Sequence, residues 1–230
     1  GGTLWESRTP PNNTLQDRGG PHHLVRAFSH FPPWFLTCGA AGPAGSIATM
    51  DHVIRAVRAE EWEKVKELRL LALRDPAAPI AFLDTYERSL KEPDSFWMQR
   101  AAGRPGAARQ FIAEAPDGSW SGTVTLLVEE AGSIDFMETV IQQRQGHVVG
   151  VFVRADQRGA GLLGRLMAAA LDWAWSLDGP PLERVRLYVH ERNPRAQAAY
   201  RKAGFAPTGL LVPFATDPSA KEVEMAVSRP

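Results

Sequence analysis

The chain has 230 residues, 44% of them apolar, and its 26 basic residues are matched by 26 acidic ones for a formal net charge of zero. That length suits one domain, or one domain with a tail, and holds enough apolar residues for a substantial core, while the neutral balance argues against a general nucleic-acid binder or a polybasic membrane binder. Cys38 is the only cysteine, which excludes an intrachain disulfide and a zinc cluster, and no run approaches the ~18 apolar residues of a membrane span, so a cytoplasmic protein is expected.

Residues 1–49 contain 13 Pro or Gly, five charged residues and no sustained hydrophobic period. Such a segment buries too little apolar surface to offset its ordering entropy, so a disordered N-terminal extension is expected there, with the folded domain at 50–230. A short strand is predicted over His52–Val57. Trp62, Val65, Leu68, Leu71 and Ala72 recur at threes and fours and predict a helix over Ala59–Arg74. Further helices are expected over Pro79–Lys91 and Ser95–Ala101. Gln110–Glu114 and Ser121–Glu129 flank Pro116-Asp117-Gly118-Ser119 and read as a hairpin. Residues 131–146 form a long connection, a feature more often functional than not, and it is placed near an acceptor site. A strand follows over Val148–Val153, then a helix over Gly161–Leu177 with a continuous apolar face. Arg184–Val189 alternates as a strand and Arg195–Ala203 reads as a helix. Asn193-Pro194 starts that helix well, since Asn caps an N-terminus and Pro is tolerated in the first turn. Gly204 stops it, and strands over Phe205–Pro213 and Glu222–Val227 complete a mixed α/β order.

The most informative stretch is 147–164, where an apolar strand runs into Arg158-Gly159-Ala160-Gly161 at the start of a helix. Backbone N–H groups at a helix N-terminus lack internal partners, and the helix dipole favours negative charge, so this arrangement cradles an anion. Residues 151–205 hold nine Lys or Arg against five Asp or Glu, which suits a phosphorylated ligand. Gly159, Gly161 and Gly164 also spell the G-x-G-x-x-G of a dinucleotide fold. That reading fits poorly, because four residues separate the strand from Gly159 and the nearest acid at a strand end, Glu191, lies 27 residues past Gly164.

Residues 193–205 read Asn-Pro-Arg-Ala-Gln-Ala-Ala-Tyr-Arg-Lys-Ala-Gly-Phe. Together the two segments resemble the GNAT superfamily of acyl-CoA-dependent N-acetyltransferases. Its first motif, Arg/Gln-x-x-Gly-x-Gly/Ala, is met by Arg158 and Gly161, and its second, Asn-x-x-Ala-x-x-x-Tyr-x-x-x-Gly-Phe, by Asn193, Ala196, Tyr200, Gly204 and Phe205. Leu163 departs from the pattern, standing where Gly or Ala is usual. The stretch from Leu70 through Trp97 also resembles the N-terminal helices of one subgroup, as does the run from Leu68 to Asp75. The resemblance implies a single domain with a mixed, mostly antiparallel sheet flanked by helices, its splayed strands holding acetyl-CoA, and an amine as acceptor, with a homodimer left open.

By the same resemblance, the main chain of Val151, Phe152 and Val153 binds the pantetheine arm as an added strand would. The N–H groups from Arg158 through Gly159, Ala160, Gly161, Leu162 and Leu163 to Gly164 surround the pyrophosphate. Val151 N–H polarises the thioester carbonyl, Tyr200 protonates the departing thiolate, and Asn193 caps its helix and contacts the pantetheine. The general base stays open among Glu129, Glu130, Asp135, Glu138, His147 and His190. Two other readings are a non-catalytic acyl-CoA-binding module, which Leu163 favours and Tyr200 opposes, and a nicotinamide-dependent oxidoreductase.

Overall fold

The computed structural model describes residues 52–230; the expectation of disorder over 1–49 lies outside the described residues. In chain order the elements are β1 (Val53–Ala56), α1 (Trp62–Ala72), α2 (Tyr86–Leu90), α3 (Asp94–Ala102), β2 (Ala108–Glu114), β3 (Trp120–Glu129), β4 (Gln145–Val153), α4 (Leu162–Trp175), β5 (Arg184–His190), α5 (Pro194–Lys202), β6 (Ala206–Phe214) and β7 (Asp217–Ser228). The seven strands form one sheet in the order β1-β2-β3-β4-β5-β7-β6. Every neighbouring pair is antiparallel except β4 and β5. One parallel pair is incompatible with the doubly wound parallel sheet that a dinucleotide fold requires.

Side chains alternate between the two faces of each strand, and this sheet buries both. On one face Phe111, Val124, Leu126, Val148, Val185, Leu187 and Met225 pack against Leu166, Met167 and Ala170 of α4. On the other, Ile112 and Phe152 meet Val65 and Leu68 of α1 and Trp97 of α3. Each large apolar side chain buried in this way contributes about 1.5–3 kcal/mol.

Three elements depart most from the sequence-based expectation, one of them β7, which begins at Asp217, five residues before the expected Glu222. The helix expected over Pro79–Lys91 is a 3-10 turn at Ala78–Ile80 and a short α2. Thr85 restarts the chain as an N-cap, its Oγ1 accepting from Arg88 N–H at 3.2 Å, so apolar spacing across 79–91 spans two elements. β4 begins at Gln145, three residues early, because Gln145 and His147 are buried in a polar network that makes them look like loop residues in sequence. The 130–144 connection is tied down from within: Asp135 Oδ1 accepts from Met137 and Thr139 N–H, both at 2.9 Å.

Candidate active site

β4 and β5 pair only at Gly146–Val185 and His147–Arg186. Past that point β4 pairs only with β3 and β5 only with β7. The main-chain groups that β4 turns toward β5 therefore have no strand partner from Val148 to Val153. A register shift adds to the divergence: Thr123 faces Phe152 while Thr125 faces Val149, so two steps on β3 span three on β4. The extra residue is accommodated at Gly150, whose φ of +63° is the left-handed conformation a bulge glycine takes. A small cavity lies beside it, lined by Arg69, Ala72, Arg100, Gln110, Thr123, Gly150 and Phe152. Val151 and Val153 are half-buried against the α4-side core, whereas Phe152 is buried on the opposite face.

From Val153 the chain passes a 3-10 turn at Ala155–Gln157 and reaches Gly159 and Gly161, whose φ values are +89° and +75°. Gly161 is the N-cap of α4. The first hydrogen bond of the helix runs from Arg165 N–H to the Gly161 carbonyl at 3.3 Å, so the N–H groups of Leu162, Leu163 and Gly164 precede the helical ladder. Cβ atoms built on Gly159, Gly161 or Gly164 would meet no atom within 4 Å, and Gly159, Gly161 and Gly164 are exposed. An open turn, N–H groups outside the helical ladder and an unpaired strand edge follow one another along the chain, an order that fits a phosphate group and an extended amide-bearing arm.

Two residues of this turn direct their side chains inward. Leu162 is buried and Leu163 packs half-buried against the α4-side core, which leaves the surface of the turn clear of the bulky departure from the motif. The Arg158 guanidinium donates to the Val153 carbonyl at 2.9 Å and to the Asp75 carboxylate. It thereby ties the turn to the end of α1, and its charge-assisted contact is with Asp75.

α5 carries the other two expected residues. Asn193 caps it, Oδ1 accepting from Ala196 N–H at 3.1 Å. Tyr200 is 8% exposed and lies beside Phe205. Burial pushes its hydroxyl pKa up from an ordinary value that already leaves a phenol protonated at neutral pH.

The closed end of the β4–β5 pair is a buried polar network. Arg186 donates through Nε and Nη2 to the two Glu129 oxygens, both at 3.0 Å, and to Asp135 at 2.9 Å and Tyr188 at 2.6 Å through its remaining valences. His147 Nδ1 lies 2.8 Å from Glu129 Oε1, and Gln145 donates to Oε2 at 2.8 Å. Burial alone would raise the Glu129 carboxyl, but the His147 and Arg186 contacts outweigh it and hold the pKa at about 2. Phe136, from the 130–144 connection, packs on the rings of His147 and Tyr188 at centroid distances of 5.7 and 5.4 Å. That connection therefore lies against β4 and β5.

Of the six candidate bases, Glu129, Asp135 and His147 belong to this network. Glu130 is exposed and ion-paired with Arg144 at 3.0 Å, and Glu138 is exposed at a φ of 59°. His190 is buried against Phe214, and its Nδ1 accepts from Arg192 N–H at 3.1 Å. Sequence reasoning missed Gly150, Tyr188 and Glu222. A glycine inside a strand pattern is a recognisable sign of a bulge; the other two gain their meaning only from strand pairing.

The sequence model of the Acetyltransferase (GNAT) family matches residues 62–205. This chain belongs to that family. The matched span runs from the start of α1 to the Phe that closes the second motif, so it takes in the glycine turn, the splayed strands and α5. Curated protein sequences offer no match. Among solved structures, NAA60 of Arabidopsis thaliana in complex with a bisubstrate analogue is similar at a TM-score of 0.57 and 15% identity, over 77% of this chain and 97% of that one. A GNAT acetyltransferase of Streptococcus pneumoniae is similar at 0.54 and 17% identity, over 78% and 100%. Spermidine N-acetyltransferase of Vibrio cholerae, in complex with CoA and spermine, is similar at 0.50 and 19% identity, over 77% and 95%. At such identities the likeness establishes the GNAT-like fold, and the family match establishes a GNAT-type acetyltransferase, a class that uses acyl-CoA. Among the described residues no helix is long and apolar enough to cross a membrane, and no cluster of His, Cys, Asp and Glu could hold a metal ion.

Proposed function

We propose that this acetyltransferase moves an acetyl group from acetyl-CoA directly to a primary amine of a small molecule or protein. The observation that carries the reading is the junction itself: β4 leaves β5 after His147–Arg186, bulges at Gly150 and delivers an open glycine turn to the N-terminus of α4. Acetyl-CoA supplies an acyl group already activated as a thioester. The main chain of Val151, Phe152 and Val153 takes the pantetheine arm on the unpaired edge, in the manner of an added strand. The N–H groups from Arg158 to Gly164 hold the pyrophosphate, while the Arg158 side chain braces the turn through Asp75. Val151 N–H, next to the bulge, polarises the carbonyl as charge develops on its oxygen. Tyr200, whose phenol is protonated at neutral pH, gives its proton to the departing thiolate. Asn193 holds the start of α5, the helix that carries Tyr200, and reaches the pantetheine arm. Residues 50–230 contain no cysteine, so no thiol of that span carries the acetyl group as a covalent intermediate.

The test is calorimetric titration of the full chain with acetyl-CoA beside Gly161→Glu, which places charge and bulk in the open turn. The parent binds, and the variant loses about 100-fold or more in affinity while still folding, its melting temperature lowered by the strain of a side chain at a φ of +75°. A folded parent that does not bind overturns the reading.

A further inference from the structure

We propose that Glu222 on β7 is the general base that takes the proton from the acceptor amine, an assignment that rests on the transferase reading above. Glu222 lies directly across from His190, the last residue of β5, at the parted end of the β4–β5 pair. Counting from the last joined pair, His147–Arg186, and allowing for the extra bulge residue on β4, Val151 comes level with Val189 and His190. Glu222 is thus level with the bulge, one strand beyond the opening. Val189 and Val223 pack into the α4-side core, so alternation turns His190 and Glu222 to the other face. The glycine turn leads into α4 on one face of the sheet, and the carboxylate stands on the opposite one. An amine arriving from that side meets the carboxylate without crossing the cofactor surface.

Its chemistry separates it from every other acid nearby. Glu129 and Asp135 are held by Arg186, and Glu224, two residues along β7, is ion-paired with Arg184 at 3.0 Å and accepts from Tyr188 at 3.5 Å. Glu222 is half-buried, and among the described residues no cation or hydrogen-bond donor engages its carboxylate. Burial pushes its pKa up to about 7, where a base accepts a proton readily and is still ionised in a useful fraction at neutral pH. The titratable groups around it are His190 and Tyr188 on β5 and Glu224 on β7; its partner on β6 is the apolar Val212.

The protons balance as follows. The ammonium form of the acceptor gives one proton to the Glu222 carboxylate, and the amine nitrogen then bonds to the thioester carbonyl carbon. As the C–S bond breaks, sulfur takes the Tyr200 proton, the nitrogen releases its second proton to solvent, and Tyr200 is reprotonated from solvent. Glu222 then releases its proton to solvent, so ammonium plus acetyl-CoA yields amide, CoA thiol and one released proton.

The experiment compares parent, Glu222→Gln and Glu222→Asp for acetyl-CoA binding by calorimetry and for CoA thiol release across pH. Two acceptor probes are used, an alkylamine and a weakly basic amine already neutral at pH 7.5. With the alkylamine, kcat/KM of the parent rises with pH through about 7; Glu222→Gln binds acetyl-CoA normally, falls about 100-fold in kcat and loses that rise. The deficit shrinks with the weakly basic probe, and Glu222→Asp retains the pH limb at an intermediate rate. An active parent matched by Glu222→Gln in rate and pH profile overturns the base alone. A parent that binds acetyl-CoA and releases no thiol with either probe overturns the transferase reading and the base with it.

Discussion

β4 and β5 are joined at one end and parted at the other, and opposite chemistry builds the two ends. At the joined end, Gly146–Val185 and His147–Arg186 are overlaid by charged groups paired with one another: Arg186 with Glu129 and Asp135, His147 with Glu129, Arg184 with Glu224. At the parted end Val148–Val153 offers main-chain groups with no strand partner, Gly150 interrupts the register, and Glu222 has no counter-charge among the described residues. Buried polar groups are tolerable when satisfied and expensive when not. A site that must receive a polar co-substrate keeps its unsatisfied groups where that molecule lies, and the neighbouring stretch of the same strands is closed tightly enough to hold the angle between them.

The comparison can be broken most severely at the joined end. Arg186→Ala leaves Glu129 and Asp135 buried without their shared cation, and a loss on the order of 3–5 kcal/mol in unfolding free energy by denaturant titration is expected. The parted end responds in rate, not stability. Tyr200→Phe removes only the hydroxyl, so kcat for thiol release falls roughly 100-fold while acetyl-CoA affinity and melting temperature hold. A comparable loss of affinity would make Tyr200 a binding residue instead. The smallest effect belongs to Asn193→Ala, which removes the cap on the helix that carries Tyr200 and lowers stability by about 1 kcal/mol. A drop in kcat beyond that seen with Asn193→Ser, which keeps a capping oxygen, would reveal a direct role for Asn193 at the pantetheine.

These contrasts also separate what the sequence made legible from what it did not. The glycine turn, the apolar face of α4 and the Asn-Pro start of α5 are written in local signals within a few residues, and the structure places them at Gly161, Leu162–Trp175 and Asn193. The beginning of β4 was not legible, because Gln145 and His147 become strand residues only once Glu129 and Arg186, 16 to 57 positions away from their partners, come to meet them. The broken helix over 79–91 turns on one threonine that caps from inside an otherwise helical pattern. Glu222 looked like any exposed strand glutamate, since its surroundings come from β5 and β6. The opening itself depends on where a parallel pair stops, which no local pattern records.

The single parallel pair has a consequence for how the chain is assembled. β1 to β4 occupy one side of the sheet and pair with one another antiparallel, and β5, β7 and β6 do the same on the other side. Within the halves the pairings range from hairpins to the long closure of β1 on β2 around α1, α2 and α3, and the two halves meet through one crossover, β4 to α4 to β5. The two halves of the sheet are therefore joined along the chain by the helix that opens on Gly161, and the segment that would grip the cofactor is also the clasp that holds the halves together.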